Sequence, residues 1–381
     1  MPSETLKVIS FIARMNVGGP AVLVDLLCEN LQNSGFDHLL VTGFCGQGEI
    51  EYEKFSFAKY PVLRLANFGQ RKGIIKDFSV LLKIRNIIKT NKPDIIHSHT
   101  AKAGVLMRMA SMTLPKKFKV VHTYHGHVFN GYFNKAISRL IIFVERFLAH
   151  FTDKIISIGK QTSHDLIKER IGGVKLHQVI YPGISIPKLK SRDLACRSLN
   201  LSPKVTYVVW IGRMVEVKKP ERMLEVAEII KRGNSSVKIV MVGDGPLLES
   251  IEGKARETDL PIQFLGWKTD IGVILSLAEV LVLTSINEGS PLVVVEAQMS
   301  GIPVVTTKVG SIPELLLDGV SGYSLEYDAN DFAKLILNLV KNPSLRKTFS
   351  KSARRHSRDK FNKTKYLKEH IDLYTSLLEP V

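Results

Sequence analysis

The sequence predicts an α/β protein made of two domains. Short apolar runs that are typical of buried parallel strands alternate with segments of helical periodicity along most of the chain. With 381 residues, the chain is also longer than one hydrophobic core usually serves. We place the first domain at residues 1–185 and the second at 186–360, with a last helix at 361–381.

The chain is strongly basic. It carries 53 Lys and Arg against 36 Asp and Glu, a net charge of +17, which indicates anionic partners such as nucleic acid, phospholipid or phosphorylated substrates. Cys28, Cys45 and Cys196 show no metal-ligand spacing, so we expect reduced thiols in a cytosol-like compartment. Residues 1–15 are predicted as a first strand rather than a signal peptide, and no uncharged apolar run is long enough to span a membrane.

Residues 284–305, TSINEGSPLVVVEAQMSGIPVV, are the most informative stretch. An apolar strand is predicted directly before it, at 280–283, and a polar loop follows. Ser290 suits the N-cap of the next helix, Pro291 its first helical position, and Gly301 the left-handed residue that ends it. The loop therefore lies between a strand end and a helix start, where open α/β sheets bind ligands and free N–H groups attract anions.

Two carboxylates in this stretch need partners. Glu288 lies in the loop, and Glu296 lies about a turn and a half into an otherwise apolar helix, where a charge requires hydrogen bonds. Ribose or sugar hydroxyls would supply donors, and so would a nearby arginine. From the spacing alone, a ligand site and ordinary ion pairs are equally open interpretations.

Two cations follow the first predicted strand of the second domain, at 205–211. Arg213 comes directly after Gly212, and Lys218 follows five residues later. Arginine makes bidentate contacts with a diphosphate and lysine adds a point charge, so this strand end suits a diphosphate. Without the segment around Glu288, the same residues would be interpreted as surface cations.

A glycine pair follows the first predicted strand of the first domain. Gly18 and Gly19 allow the backbone to approach a ligand closely or to turn sharply. They do not form a G-x-G-x-x-G fingerprint, which disfavours a dinucleotide-dependent dehydrogenase.

Histidines lie at two other predicted strand ends of this domain. His97 and His99 form one pair, and His125 and His127 form another after a strand at 119–122. Either pair has a spacing that could bind metal, but no nearby carboxylate completes a ligand set. We therefore expect no metal and no cofactor.

These motifs resemble retaining glycosyltransferases of family 4. The similarity rests on E-G-x-P-L-x-x-x-E-A-x-x-x-G-x-P-V-V from Glu288, on G-R-x-x-x-x-K from Gly212, and on HSHT, KAG and HTYHGHVF between residues 97 and 129. The family implies a GT-B fold, in which two Rossmann-like domains face each other across a cleft and the last helix crosses back to the N-terminal domain. It also implies a nucleotide-sugar donor held mainly by the C-terminal domain, with acceptor binding on the N-terminal side.

The resemblance assigns catalytic roles to four residues. Glu288 would hold hydroxyls of the donated sugar, and His125 would lie beside the transfer centre. Arg213 and Lys218 would hold the donor phosphates and neutralise the charge that grows on the leaving diphosphate. Lys219 stands where the family commonly has glycine, so either lysine can serve this role.

The resemblance also implies donor-binding residues. They are Gly18, Gly19, Gly243, Trp267, Gly289, Ser290, Pro291, Leu292 and Glu296. Among them, Glu296 would hold the ribose, the amides of residues 289–292 would face the diphosphate, and Trp267 would touch the nucleobase unless it is ordinary core. His97, His99 and Lys102 are further candidates, for which a purely structural role is equally open.

Two predicted amphipathic helices bear on membrane contact. Residues 59–92 hold nine Lys or Arg and one acid, an imbalance that indicates contact with anionic lipid headgroups. The apolar side of the helix in this segment is predicted to comprise Ile74, Ile75, Phe78, Leu81, Leu82 and Ile88. For residues 135–150, we expect the apolar side to belong to the core rather than to a membrane surface; it comprises Ile137, Leu140, Ile141, Val144, Phe147 and Leu148.

The sequence is therefore interpreted as a retaining, metal-independent glycosyltransferase of cell-surface polysaccharide synthesis. The wording HGHVFNGYF resembles capsule and lipopolysaccharide enzymes, which favours a UDP-sugar donor and a glycan or polyprenyl-linked acceptor, with GDP donors left open. We expect a cytoplasmic protein, with an anionic inner membrane face as a further partner. Two alternatives are a nucleotide-sugar epimerase of the same architecture and a basic nucleic-acid-binding protein. The second lacks a recognisable binding module, so we expect no nucleic-acid partner.

Overall fold

The computed structural model describes residues 5–46, 49–52, 57–69, 73–126, 134–233 and 236–379. His127 and the rest of the HGHVFNGYF motif after Gly126 lie outside the described residues, as do Arg71 and Lys72 of the basic segment. The chain divides into two compact units. The first comprises Met1–Gly183 and Lys363–Val381, and the second comprises Ile184–Asn362.

The first unit is built on a parallel sheet of seven described strands. Their order is β3-β2-β1-β4-β5-β6-β7. The strands are β1 (Lys7–Arg14), β2 (Asp37–Gly43), β3 (Val62–Arg64), β4 (Ile95–His99), β5 (Lys119–Tyr124), β6 (Lys154–Ser157) and β7 (His177–Val179). The strands β2 and β3 lie on one side of β1, and the strands β5 to β7 lie on the other side of β4. The carboxyl ends of the neighbours β1 and β4 therefore form a topological switch point.

Helices cover this sheet because its central strands are apolar on both sides. They are α1 (Gly19–Asn33), α2 (Ile74–Asn91), α3 (Ala101–Met112), α4 (Lys135–Ala149) and α5 (Lys160–Lys168). Phe11 and Ile96 of the sheet pack with Ile84 of α2 and Met107 of α3 in one buried cluster. Helix α3 contacts both α2 and α4, so these three helices lie side by side.

The second unit repeats this plan with six described strands. Their order is β10-β9-β8-β11-β12-β13. The strands are β8 (Thr206–Ile211), β9 (Val237–Val242), β10 (Ile262–Phe264), β11 (Ala278–Leu283), β12 (Val304–Thr307) and β13 (Gly322–Leu325). Its helices are α6 (Arg192–Ser198), α7 (Arg222–Gly233), α8 (Leu248–Glu257), α9 (Ile271–Leu277), α10 (Leu292–Ser300), α11 (Ala329–Lys341) and α12 (Pro343–Lys360). The switch point here lies between β8 and β11.

The last helix, α13 (Lys363–Leu378), belongs to the first unit. Its Tyr366 hydroxyl donates a hydrogen bond to the carbonyl of Leu23 on α1 at 3.3 Å, and both Tyr366 and Tyr374 are buried. Among the described residues, no helix combines the length and the apolar composition that crossing a bilayer requires.

The prediction that the apolar side of α4 belongs to the core is wrong for three of its six residues. Leu140 and Phe147 are 62% and 49% exposed, and Ile137 is exposed as well. Ile141 and Val144 are half-buried, and only Leu148 of the predicted set is buried.

The physical reason is a buried ion pair on the opposite side of α4. Glu145 accepts a hydrogen bond from Nη2 of Arg108 on α3 at 2.7 Å and another from the Tyr124 hydroxyl. A buried carboxylate needs such partners, so their position decides which side of α4 faces inward.

The apolar side predicted for α2 is also partly wrong. Ile75, Phe78 and Leu82 are exposed, whereas Ile88 is buried and Leu81 is half-buried against the core. The buried side is completed by residues that the prediction left out, namely Val80, Ile84 and Ile87. The side chain of Ile74 lies outside the described residues.

Candidate active site

The loop after β11 holds the first predicted carboxylate in a defined position. Oε1 of Glu288 lies 2.5 Å from the Lys218 ammonium and accepts a hydrogen bond from the Ser285 hydroxyl at 2.6 Å. The Glu288 side chain is only 8% exposed. The structure therefore brings together Lys218 and Glu288, which the sequence placed in separate motifs.

Backbone contacts fix the loop after β8 against this loop. The Thr284 hydroxyl reaches the carbonyls of Lys218 and Lys219 at 3.1 and 3.0 Å, and the Ile286 amide donates to the carbonyl of Val217 at 2.9 Å. Because β8 and β11 are neighbours at the switch point, these contacts hold Lys218 at the carboxyl edge of the sheet.

Sequence reasoning missed the supporting roles of Thr284, Trp210 and Arg222. The Trp210 indole donates to the Thr284 hydroxyl at 3.1 Å, and Nη1 of Arg222 donates to the Thr284 carbonyl at 2.9 Å. The only signal in the sequence was that Thr284 follows a strand directly. Its partners are 74 and 62 positions away, a distance that no local pattern spans.

The structure distinguishes the two adjacent lysines that the sequence left open. Lys219 adopts a left-handed backbone with φ of +46°, which suits a position where glycine is common. Its ammonium pairs with Glu216 and with Glu221, the latter at 3.2 Å. Lys218, in contrast, pairs with Glu288, so Lys218 is the lysine at the candidate site.

Arg213 is the second cation at the end of β8. Its side chain is exposed, and within the described parts of the chain its guanidinium makes no hydrogen bond or ion pair. An exposed arginine without an internal partner is available to a phosphate ligand.

Glycines bring the neighbouring strand ends close to Arg213. Gly243, with φ of +138°, donates its amide to the carbonyl of Gly266 at 2.9 Å. A Cβ atom at Gly243 would lie 1.8 Å from the carbonyl oxygen of Gly212, so only glycine allows this packing. Trp267 follows Gly266 and is half-buried at the same edge of the sheet.

The start of α10 corrects the predicted cap. The helix begins at Leu292, and its N-cap residue is Pro291 rather than Ser290. Proline has no side-chain hydrogen-bonding group, so the N-cap residue gives α10 no side-chain cap. The amides of the first two helical residues have no intrahelical partner, whereas the Val294 amide donates to the Pro291 carbonyl at 3.1 Å. Gly301 ends the helix with φ of +79°, as predicted, and Glu296 lies within it, half-buried.

The loop after β12 packs on the same site. Gly310 has φ of +51°, and a Cβ atom there would lie 1.7 Å from the carbonyl oxygen of Glu288. The Ser311 amide donates to the carbonyl of Gly289 at 3.2 Å. The strand-end loops of the second unit thus surround one patch with two cations, a held carboxylate and a helix start, a combination suited to a sugar diphosphate.

In the first unit, Gly18 and Gly19 form the turn between β1 and α1. Gly18 is the N-cap residue, with φ of +154°, and Gly19 is the first helical residue. The glycine pair therefore follows β1, one of the two strands at the switch point of the first sheet.

The histidines of this unit form a cluster at the ends of β4 and β5. Nδ1 of His99 lies 3.2 Å from Nε2 of His125, and the ring centres of His97 and His99 are 4.0 Å apart. Nδ1 of His97 lies 2.6 Å from the Tyr374 hydroxyl of α13. Burial lowers the pKa of His125 to about 3 and the pKa values of His97 and His99 well below their usual range, so all three rings are neutral.

Lys102 and the grouping of possible metal ligands can also be described. The Lys102 ammonium pairs with Asp77 of α2 at 2.7 Å, so it joins α3 to α2. Among the described residues, no three His, Cys, Asp or Glu side chains are grouped to hold a metal ion.

Two Rossmann-like parallel-sheet units are the architecture of the GT-B class of glycosyltransferases. The chain matches the model of Glycosyltransferase Family 4 over residues 17–187 and that of Glycosyl transferases group 1 over residues 191–356. The protein therefore belongs to the group 1 glycosyltransferases with a family 4 N-terminal domain, and the predicted family is confirmed.

Its relatives include two bacterial enzymes. The chain is 30% identical over 318 residues to the UDP-Gal:alpha-D-GlcNAc-diphosphoundecaprenol alpha-1,3-galactosyltransferase of Escherichia coli, covering 80% of this chain and 81% of that enzyme. It is 24% identical over 377 residues to the N-acetyl-alpha-D-glucosaminyl L-malate synthase of Bacillus anthracis, covering 95% of each.

Solved structures confirm the predicted GT-B fold. HepE of Anabaena, determined in complex with UDP and glucose, superposes with a TM-score of 0.82 at 19% identity, over 97% of this chain and 100% of that one. Sucrose-phosphate synthase of Thermosynechococcus elongatus superposes with a TM-score of 0.81 at 21% identity, over 98% and 99%.

Proposed function

We propose that this glycosyltransferase moves a sugar from a UDP-sugar to a glycan or lipid-linked acceptor, with retention of anomeric configuration and without a metal ion. The observation that carries the proposal is the Lys218–Glu288 contact at the switch point, beside the exposed Arg213 and the uncapped start of α10. UDP is favoured because the relative from Escherichia coli is named for UDP-Gal and HepE of Anabaena was solved with UDP.

The charges of the second unit suit the leaving group. As the bond between the sugar carbon and the phosphate oxygen breaks, negative charge grows on the diphosphate. Arg213, Lys218 and the first amides of α10 would stabilise this charge, so a metal ion is not needed for it. Glu288 would accept hydrogen bonds from sugar hydroxyls, while Glu296 would do the same for the ribose.

The reaction itself would proceed on one face of the sugar. The acceptor hydroxyl forms the new bond to the sugar carbon on the side from which the diphosphate departs, and the departing phosphate oxygen takes the hydroxyl proton. No separate carboxylate base is needed, in contrast to glycoside hydrolysis. From the first unit, Gly18 and Gly19 would contact the donor, and a neutral His125 would lie beside the transfer centre. We place acceptor binding on this unit as well.

We also propose where the enzyme works. A lipid-linked acceptor is supported by the diphosphoundecaprenol-linked substrate in the name of the relative from Escherichia coli. Such an acceptor is presented at a membrane, so a cytoplasmic enzyme would act there as a peripheral protein. The basic charge of the chain favours an anionic surface.

The test is UDP release and product analysis with a panel of UDP- and GDP-sugars. Glu288→Ala and Arg213→Ala should each reduce transfer by about 10²-fold or more. Glu249→Ala and Arg232→Ala, which change exposed residues on α8 and α7, serve as matched controls and should stay near wild type. Thermal unfolding of all four variants checks that the fold survives.

Three outcomes would contradict the proposal. Full activity of both site variants would remove the assigned roles. An inverted anomeric configuration in the product, read by NMR, would exclude retention. Loss of transfer in EDTA that added Mg²⁺ restores would exclude metal independence.

A further inference from the structure

Helix α4 presents an apolar stripe to solvent. Leu140, Phe143, Phe147 and Phe151 recur at helical spacing along one side of α4 and just beyond it, and we call these four residues the α4 stripe. Phe143 is 68% exposed, and the rings of Phe147 and Phe151 lie 5.3 Å apart. Large apolar side chains scattered singly on a surface are ordinary, whereas four in one row mark an interaction surface.

The stripe cannot turn inward. The opposite side of α4 is held by Glu145, which is paired with Arg108 and Tyr124 in the interior. Rotating the helix to bury Phe143 would expose this pair and break its hydrogen bonds, so the exposure of the stripe is built into the fold.

Helix α2 adds a second exposed apolar row on the same side of the sheet. Ile75, Phe78 and Leu82 are exposed at helical spacing. Helix α3 lies between α2 and α4 and exposes Met109. Three adjacent helices therefore carry exposed apolar side chains.

The charges that flank these rows are positive. Lys135 and Arg139 on α4 are exposed, as are Lys83 and Lys89 on α2. Each of these two helices contains one acid, and both acids are occupied by internal cations: Glu145 by Arg108, and Asp77 by Lys102. The outward faces of α2 and α4 thus combine apolar side chains with the exposed cations Lys83, Lys89, Lys135 and Arg139.

We propose that the α4 stripe and the outer face of α2 dock the protein on an anionic phospholipid bilayer. Phenylalanine and leucine side chains would insert at the boundary between headgroups and acyl chains, while the lysines and arginine bind lipid phosphates. This is the pattern of an amphipathic helix that lies in the membrane interface.

The charge pattern favours a bilayer over a second copy of this chain. A copy would bring the same cations to the same face, and the described residues of α2 and α4 offer no free acid to neutralise them. An anionic bilayer offers acyl chains to the apolar side chains of the α4 stripe and phosphate groups to the cations that flank it. The inference adds a defined contact surface to the proposed use of a lipid-linked acceptor, but lipid binding is measured without any acceptor.

The experiment is flotation of the full chain with vesicles. Wild type should float with phosphatidylglycerol–phosphatidylethanolamine vesicles, less so in high salt, and weakly with phosphatidylcholine alone. The triple variant Leu140→Gln, Phe143→Gln, Phe147→Gln should reduce binding about tenfold or more. A matched triple variant, Val174→Gln, Leu194→Gln, Val320→Gln, changes exposed apolar residues elsewhere and should bind like wild type.

A charge variant, Lys135→Gln with Arg139→Gln, should weaken binding and flatten its salt dependence. Circular dichroism and thermal unfolding confirm that each variant folds. The proposal is overturned if wild type fails to float with anionic vesicles, or if both triple variants float equally. It is also overturned if the stripe variant breaks a dimer, measured by light scattering, while vesicle binding is unchanged.

UDP release with a soluble acceptor separates this proposal from the catalytic one. Turnover that persists in the stripe variant while vesicle binding is lost supports the docking surface. A wild-type protein that floats with vesicles but transfers no sugar would refute the proposed activity and leave the docking surface in place.

Discussion

The hydroxyl of Tyr374 lies 2.6 Å from Nδ1 of His97, although the two residues are 277 positions apart in the chain. The other ring nitrogen of His97 lies 2.7 Å from the Thr123 hydroxyl. Both nitrogens of this buried ring therefore have partners, one from the last helix and one from β5. Helix α13 thus contacts His97, one member of the histidine cluster, through a hydrogen bond from Tyr374.

Removing this contact should destabilise the first unit. Tyr374→Phe keeps the ring but leaves Nδ1 of His97 unpaired in the interior, which should lower the free energy of unfolding by about 1–3 kcal/mol. Urea denaturation measures the change. The control is Tyr323→Phe, because the Tyr323 hydroxyl has no hydrogen-bond partner among the described residues, and it should stay within about 0.5 kcal/mol of wild type. Equal effects of the two changes would show that the contact contributes nothing specific.

The two adjacent lysines should differ in function. Lys218→Ala removes the ammonium that contacts Glu288 and should lower kcat/KM by about 10²-fold. Lys219→Ala removes only the pairs with Glu216 and Glu221 on the surface, so it should change kcat/KM by less than about threefold. Steady-state kinetics with the UDP-sugar that wild type uses best measures kcat/KM for both variants. A larger loss in the Lys219 variant would reverse the assignment.

Two glycines provide a matched test of the Glu288 loop. Gly310 and Gly319 have φ of +51° and +69°, so alanine at either position carries a similar backbone cost of about 1 kcal/mol. At Gly310 the new Cβ would lie 1.7 Å from the Glu288 carbonyl oxygen, whereas at Gly319 nothing lies within 4 Å. Gly310→Ala should therefore weaken UDP-sugar binding about tenfold or more, and Gly319→Ala should not. Isothermal titration calorimetry measures both, and equal affinities would mean that the loop adjusts freely.

The stability of the protein should fall at mildly acidic pH. Burial lowers the pKa of His38 and of His370 to about 4 each. In the unfolded chain a histidine binds a proton near pH 6.5. The unfolded state therefore gains protons first, and stability that is complete above about pH 6.5 is lost as the pH falls toward 4.

Chemical denaturation between pH 7.5 and 4.5 tests this. The replacement His370→Gln removes one such group and should reduce the slope of unfolding free energy against pH by about 1.4 kcal/mol per unit. His164 is exposed, and His164→Gln should leave the slope unchanged. A flat profile in wild type would contradict the expectation.

Much of the fold was predictable because strands and helices leave local patterns. The strand predicted at 205–211 is found at Thr206–Ile211, and the one predicted at 280–283 is found at Ala278–Leu283. The orientation of α4 was not predictable, since periodicity shows that a helix has an apolar side but not which side meets the sheet. That choice depends on Arg108, which lies 37 positions from Glu145.

The candidate site shows the same division. The motifs correctly predicted that Arg213 and Glu288 follow strands and that Glu296 lies on the next helix. The pairing of Lys218 rather than Lys219 with Glu288 depends on a left-handed backbone at Lys219 that no local pattern specifies. Ser290 is of a residue type that is common at N-caps, but the helix begins at Leu292 and its N-cap residue is Pro291.

Because α13 belongs to the first unit, the order of synthesis differs from the order in which the two units can be completed. A ribosome synthesises the strands of the first unit early, but it reaches Tyr374 only after the whole of the second unit, Ile184–Asn362, which is continuous in sequence. The half of the molecule that is translated later is thus the first that can be finished. A released chain that ends before Lys363 would contain the whole of the second unit but would lack the last helix of the first.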